Sequence, residues 1–255
     1  MTLNLLLLSN STNSGSGYLE HAQNEVGAFL EEVTQVLFVP FALADHDAYT
    51  NKVDAALAAH GVETIGLHTG SDPRAMIGSA QVIFIGGGNT FRLLATLQRL
   101  GLMTSIQKSV ESGTRYMGAS AGTNIAAPTI RTTNDMPIVQ PSSFSALELV
   151  PFQINPHYLD ADPSSNHAGE TREDRLTEFL EENAVSILGL REGAHLRVKG
   201  TPGEIDFVAS VGGQAVDQSK LPGIVFQPGL VSESITGDVS ELFTRRYSYD
   251  TNNPA

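Results

Sequence analysis

The run Gly118-Ala119-Ser120-Ala121-Gly122 surrounds one hydroxyl with four residues that have almost no side chain. Gly-x-Ser-x-Gly is the pattern of a nucleophile elbow, where a serine takes a strained backbone at a strand end and only small neighbours leave it room. Gly and Ser are also ordinary turn residues, so the pattern alone leaves a plain strand-to-helix turn open. A second glycine cluster, Gly86-Gly87-Gly88, ends the apolar run "VIFI". Its spacing fits neither a dinucleotide fingerprint nor a nucleotide-phosphate loop, since Phe91 stands where Gly or Ala is needed and no Gly-Lys-Ser/Thr follows. Such a loop can instead offer backbone N–H groups to a developing oxyanion, as in lipase-like hydrolases. The donors would be Gly88 and Ala121, the residue after the serine.

A serine hydroxyl needs a general base. Of seven histidines, His157 in "FQINPHYLDAD" follows a strand-like run and a proline that fixes the backbone approach. His157 with Asp160 and Asp162 matches no standard metal-binding signature, and no metal or other cofactor is expected. Two carboxylates compete to orient the imidazole: Asp135 in "IRTTNDMPIV" and Glu192 in "LGLREGAH". Only 37 residues separate Ser120 from His157, too few for the βα units that intervene in a true α/β-hydrolase.

The elements that must position these groups alternate. Strands are expected at 3–8, 33–42, 62–67, 80–88 and 114–119, with helices at 18–32, 47–61, 89–101 and 103–113. Strands apolar throughout imply a mostly parallel sheet covered on both faces. Both glycine-rich turns then lie at carboxyl strand ends, where open α/β sheets place their sites. Later runs at 184–190, 194–200, 204–210 and 213–218 read as antiparallel additions at one sheet edge.

The chain has 255 residues, is 41% hydrophobic and carries a net charge of −13. One α/β domain is expected over 1–240, with a polar tail over 241–255. The acidity argues against nucleic acid and anionic membrane surfaces. The absence of cysteine excludes disulfides and a thiolate nucleophile. No run approaches the ~20 apolar residues of a membrane span, so a soluble cytoplasmic protein is expected.

Together "LLLLSNST", "IGGGNTFRLL", "GASAGTNIA", "PTIRTTNDMPIV", "INPHY" and "GETRE" resemble the peptidase E (α-aspartyl dipeptidase) family of serine peptidases, over about residues 3–200. The resemblance fades in the last 50 residues. Ala119 stands where compact members carry a bulkier residue. The resemblance implies a three-layer sandwich like class I glutamine amidotransferase domains, and hydrolysis of dipeptides and some short peptides with N-terminal aspartate. It makes Ser120 the nucleophile, His157 the base, and Gly88 and Ala121 the oxyanion donors. It carries both acids; Glu192, at a strand end, is favoured to hold the imidazole, and Asp135 to meet the substrate ammonium. A carboxylate-selecting pocket wants an arginine fork; Arg172 is preferred, with Arg131 and Asn89 as further substrate contacts. A same-fold hydrolase of β-aspartyl or cyanophycin-type bonds is the alternative.

Overall fold

A computed structural model describes residues 3–161, 169–200, 203–207 and 220–250. Five strands form a parallel core: β1 (Leu3–Leu8), β2 (Gln35–Val39), β3 (Glu63–Gly66), β4 (Val82–Ile85) and β5 (Arg115–Ala119). Their spatial order is β1-β5-β4-β2-β3. Every residue from Leu5 to Leu8 is fully buried, because the sheet is covered on both faces. The two-residue alternation sorts the side chains. Leu6, Leu8, Phe38 and Phe84 pack with α1 (Gln23–Phe29) and α2 (His46–Leu57) on one face. Leu5, Leu7, Leu37 and Ile83 pack with α3 (Pro73–Ser79), α4 (Thr90–Arg99) and α5 (Met103–Glu111) on the other. Each such leucine contributes roughly 1.5–3 kcal/mol of burial.

Helix α3 is an addition to the elements expected from the sequence; Asp72 caps it and Pro73 opens it, a combination that favours helix starts. The helix expected over 18–32 is shorter: a 3₁₀ turn at Glu20–Ala22 precedes α1.

The later strands divide between two sheets. After α6 (Ala121–Asn124) and a long connection come β6 (Gln153–Tyr158), α7 (Arg172–Glu182) and β7 (Ile187–Arg191). Then β8 (Ala194–Gly200) and β9 (Gly203–Phe207) extend the main sheet antiparallel beside β1. β10 (Gly223–Phe226), β11 (Glu233–Ile235), β12 (Gly237–Asp238) and α8 (Ser240–Thr244) complete the chain. The main sheet runs β12-β9-β8-β1-β5-β4-β2-β3, and a second runs β11-β10-β7-β6. The edge addition expected at 184–190 is therefore corrected: that strand belongs to the second sheet and runs parallel to β6. The run expected at 213–218 lies outside the described residues. Among the described residues no helix is long and apolar enough to cross a membrane.

Residues 241–250, expected as a polar tail, are packed. Leu242 is buried, and Phe243 meets Phe152 edge-on at 5.2 Å. Asp250 pairs with Arg131 at 2.6 Å, and Ser248 bridges to Ala184. The polar composition hid two apolar anchors. Buried Leu242 is worth roughly 1.5–3 kcal/mol and partly buried Phe243 somewhat less, and 1 kcal/mol moves the melting point by roughly 2–4 °C in a chain of this size. Deleting residues 241–255 should thus lower Tm by roughly 5 °C or more in a thermal melt; an unchanged Tm would contradict this packing.

Candidate active site

Ser120 lies between β5 and α6 with φ 53° and ψ −107°, a region that costs a non-glycine residue of order 1–3 kcal/mol. The surrounding structure holds it there. Its N–H donates to the Leu8 carbonyl at 3.1 Å, and Thr123 Oγ1 donates to the same oxygen at 2.6 Å. Ala121 opens α6, so its N–H belongs to the first turn, whose donors lack intrahelical acceptors. Gly87 explains why the second cluster is glycine: a Cβ there would sit 3.1 Å from Ser120 Cβ. Gly88 follows with φ 132°, open to glycine and strained for other residues.

His157 also has positive φ, at 55°. Six non-glycine residues among those described share this property, and two of them, Ser120 and His157, have side chains that meet. The cause at His157 is a bulge. β6 advances from Asn155 to Tyr158 while β7 advances only from Gly189 to Arg191, and Pro156, lacking an N–H, occupies the irregular stretch. Ser9 steps in for the ladder. Its fully buried hydroxyl accepts the His157 N–H at 2.9 Å and donates to the Leu190 carbonyl at 2.9 Å.

The bulge turns the imidazole onto Ser120. His157 Nε2 lies 2.9 Å from Ser120 Oγ, and His157 Nδ1 lies 2.8 Å from Glu192 Oε1. Glu192 sits in the β7–β8 turn, where Asn10 Oδ1 accepts the Gly193 N–H at 2.8 Å. The hydrogen bond from His157 holds the Glu192 carboxyl below its usual pKa, opposed by partial burial and helped by the charges of His157 and His21. Just before it, Arg191 forks onto Asp160 at 2.9 and 2.7 Å, tying the segment after His157 to the strand before Glu192.

Asp135 is elsewhere. Its Oδ2 accepts the Thr90 N–H at 2.7 Å and the Thr90 hydroxyl at 2.6 Å, at the start of α4. A cavity of about 190 Å³ lies alongside, lined by Arg131, Asn134, Asp135, Asn155, Arg172 and Arg175 among others. Arg172 opens α7 and donates to Asn134 Oδ1. Its acidic helix neighbours are engaged otherwise: Asp174 closes a capping box with Thr171, and Glu173 accepts from Ser232. Burial, then Arg175, lower the Arg172 pKa, while Asp135 raises it. Arg131 lines the same cavity, but its fork is bidentate on Asp250 and also reaches Asn183, so it is already neutralised. Asn89, expected to touch substrate, uses both ends of its amide within the fold. Its Oδ1 caps α4 through the Arg92 N–H at 3.0 Å, and its Nδ2 donates to the Met136 carbonyl at 2.8 Å. Ser9 and Asn10 give no sign of site roles in the sequence beyond lying near a strand end, and Asp160, weighed there only as a metal ligand, instead anchors Arg191. Among the described residues no group of three or more His, Asp or Glu could hold a metal ion.

A family model described as peptidase family S51 matches residues 5–205. A Streptomyces coelicolor protein named peptidase E is 54% identical over 251 residues, covering 98% of each chain. A Drosophila melanogaster protein named probable alpha-aspartyl dipeptidase is 52% identical over 200 residues, 77% of this chain and 83% of its own. Among solved structures, one described as a putative peptidase E from Listeria monocytogenes superposes with a TM-score of 0.61 at 25% identity, covering 82% of this chain and all of its own.

The Asp160 carboxyl is held at about 2, first by the Arg191 hydrogen bonds, against the raising effect of partial burial. An unfolded aspartate titrates near 3.9. The folded value is the lower, so the contribution is present above about pH 4 and is lost as pH falls towards about 2. The Tm difference between wild type and Asp160→Asn should accordingly shrink between pH 5 and 2; a constant difference would show that the Asp160 charge contributes nothing to stability.

Proposed function

Since the chain belongs to peptidase family S51, we propose that it is a serine peptidase releasing N-terminal aspartate from dipeptides, with Ser120, His157 and Glu192 as its catalytic triad. The observation that carries this reading is the unbroken hydrogen-bonded line from Ser120 Oγ through the imidazole to Glu192. Glu192 accepts a hydrogen bond from Nδ1–H, which leaves the Nε2 lone pair facing the hydroxyl. As Oγ attacks the scissile carbonyl, Nε2 takes its proton. The tetrahedral oxyanion is held by the N–H groups of Gly88 and Ala121. The imidazolium then protonates the departing amine, and the C–N bond breaks to leave an aspartyl-enzyme ester. Water attacks the ester with His157 again as base, releasing aspartate and restoring the hydroxyl.

The small cavity supplies selectivity. Arg172 takes the substrate's side-chain carboxylate, and Asp135, beside it, takes the α-ammonium. With net charge −13, long-range steering opposes an anionic peptide, so recognition rests on this local, partly buried pair. A charge-assisted hydrogen bond is worth about 1.5–3 kcal/mol, or roughly tenfold to over a hundredfold in rate.

The test compares Asp-Leu, Glu-Leu, Leu-Leu and the β-linked isomer of Asp-Leu. Asp-Leu should be the preferred substrate and Ser120→Ala should abolish its turnover; preference for the β-linked peptide would shift the reading to a β-aspartyl hydrolase. In Arg172→Met, kcat/KM for Asp-Leu should fall by about tenfold to a hundredfold with any slow Leu-Leu turnover unchanged. Equal loss on both substrates would assign Arg172 a structural role.

A further inference from the structure

The Gly86–Gly88 loop is held from beneath by a tyrosine. Tyr49 projects from α2 and is 4% exposed. Its ring meets Phe38 of β2 edge-on, with centroids 4.9 Å apart. Its hydroxyl donates to the Gly87 carbonyl at 3.0 Å and shares a second hydrogen bond with the Tyr18 hydroxyl at 3.1 Å. Burial pushes the phenol up to about 12, so it remains a neutral donor in neutral solution.

The Gly87–Gly88 peptide is planar, and in a trans peptide the carbonyl and the following N–H point in opposite directions. Fixing the Gly87 carbonyl on Tyr49 therefore turns the Gly88 N–H away from α2. Gly87 itself abuts Ser120. A peptide between two glycines has more rotational freedom than any other, and a flip would present a carbonyl where the oxyanion forms. We propose that Tyr49 is a positioning residue, locking the Gly87–Gly88 peptide so that the Gly88 N–H serves the oxyanion; this rests on reading Ser120 as the nucleophile. Charge on that oxygen develops only in the transition state, so the lock acts on kcat and leaves ground-state binding alone.

The experiment uses full-length Tyr49→Phe with three readouts: steady-state hydrolysis of Asp-Leu, inhibition by aspartyl aldehyde, and binding of the unreactive reduced-amide isostere of Asp-Leu. The aldehyde adds to Ser120 and places its oxygen in the hole; the isostere reports ground-state affinity. Removing an oxyanion donor outright costs about 10²–10³ in kcat, so misorienting one should cost about tenfold to a hundredfold. KM and isostere affinity should stay within twofold, and the aldehyde Ki should rise by the same factor as kcat falls. A kcat within twofold of wild type overturns the proposal, as does a loss shared equally by the isostere. If the variant does not fold, a crystal structure of the wild-type aldehyde adduct decides. An adduct oxygen within hydrogen-bond reach of Gly88 N, with Tyr49 still on Gly87, supports it; an oxygen placed elsewhere overturns it. Failure of the underlying reading looks different, because wild type would then neither cleave Asp-Leu nor form an adduct at Ser120.

Discussion

The carboxyl end of β1 is the point on which the site depends. Three consecutive residues there hold three loops that are remote in sequence. The Leu8 carbonyl receives Ser120, the Ser9 hydroxyl receives His157, and the Asn10 amide receives the turn that carries Glu192. Leu8, Ser9 and Asn10 are at most 1% exposed, so these bonds are shielded from water, and an orphaned partner would cost about 1–3 kcal/mol. Such a hub lets two strained residues persist. Neither Ser120 nor His157 would hold positive φ in an isolated turn, and each does so here because a neighbouring strand over-determines it.

The two sheets have separate tasks. The parallel core sets Ser120 and the glycine loop at adjacent strand ends, since β4 and β5 are neighbours with Ile85 opposite Gly118. The second sheet brings His157 and the strand before Glu192 side by side, and its bulge aims the imidazole. The junction between sheets is therefore where chemistry is possible, and within the second sheet Asp160 and Arg191 tie the exit of β6 to the end of β7. The cavity holding Arg172 and Asp135 opens beside the same β6 end, through Asn155 and Asn134. Distance along the chain is traded for closeness at one rim.

Much of this was legible in the residues. The all-apolar strands announced a covered parallel sheet, because no half-exposed strand would read "LNLLLL". Ser120 and the glycines were legible because steric demand leaves few residue types at an elbow. What stayed hidden depends on long-range hydrogen bonds. Tyr49 meets Gly87 across 38 positions and Ser9 meets His157 across 148, and a lone tyrosine or serine carries no local sign of either. The placement of β7 is not legible in the sequence because "ILGLR", buried at every position, looks the same in either sheet. Asn89 and Arg131 were plausible substrate contacts by type, yet a helix cap and a C-terminal aspartate had already engaged them.

The most direct measurement is intact-mass and peptide mapping after exposure to an aspartyl phosphonate, run on wild type and on His157→Ala. Wild type should gain one adduct, at Ser120, and the variant should gain it slowly or not at all. An adduct on another residue, or labelling of Ser120 at the same rate without the imidazole, would contradict the account.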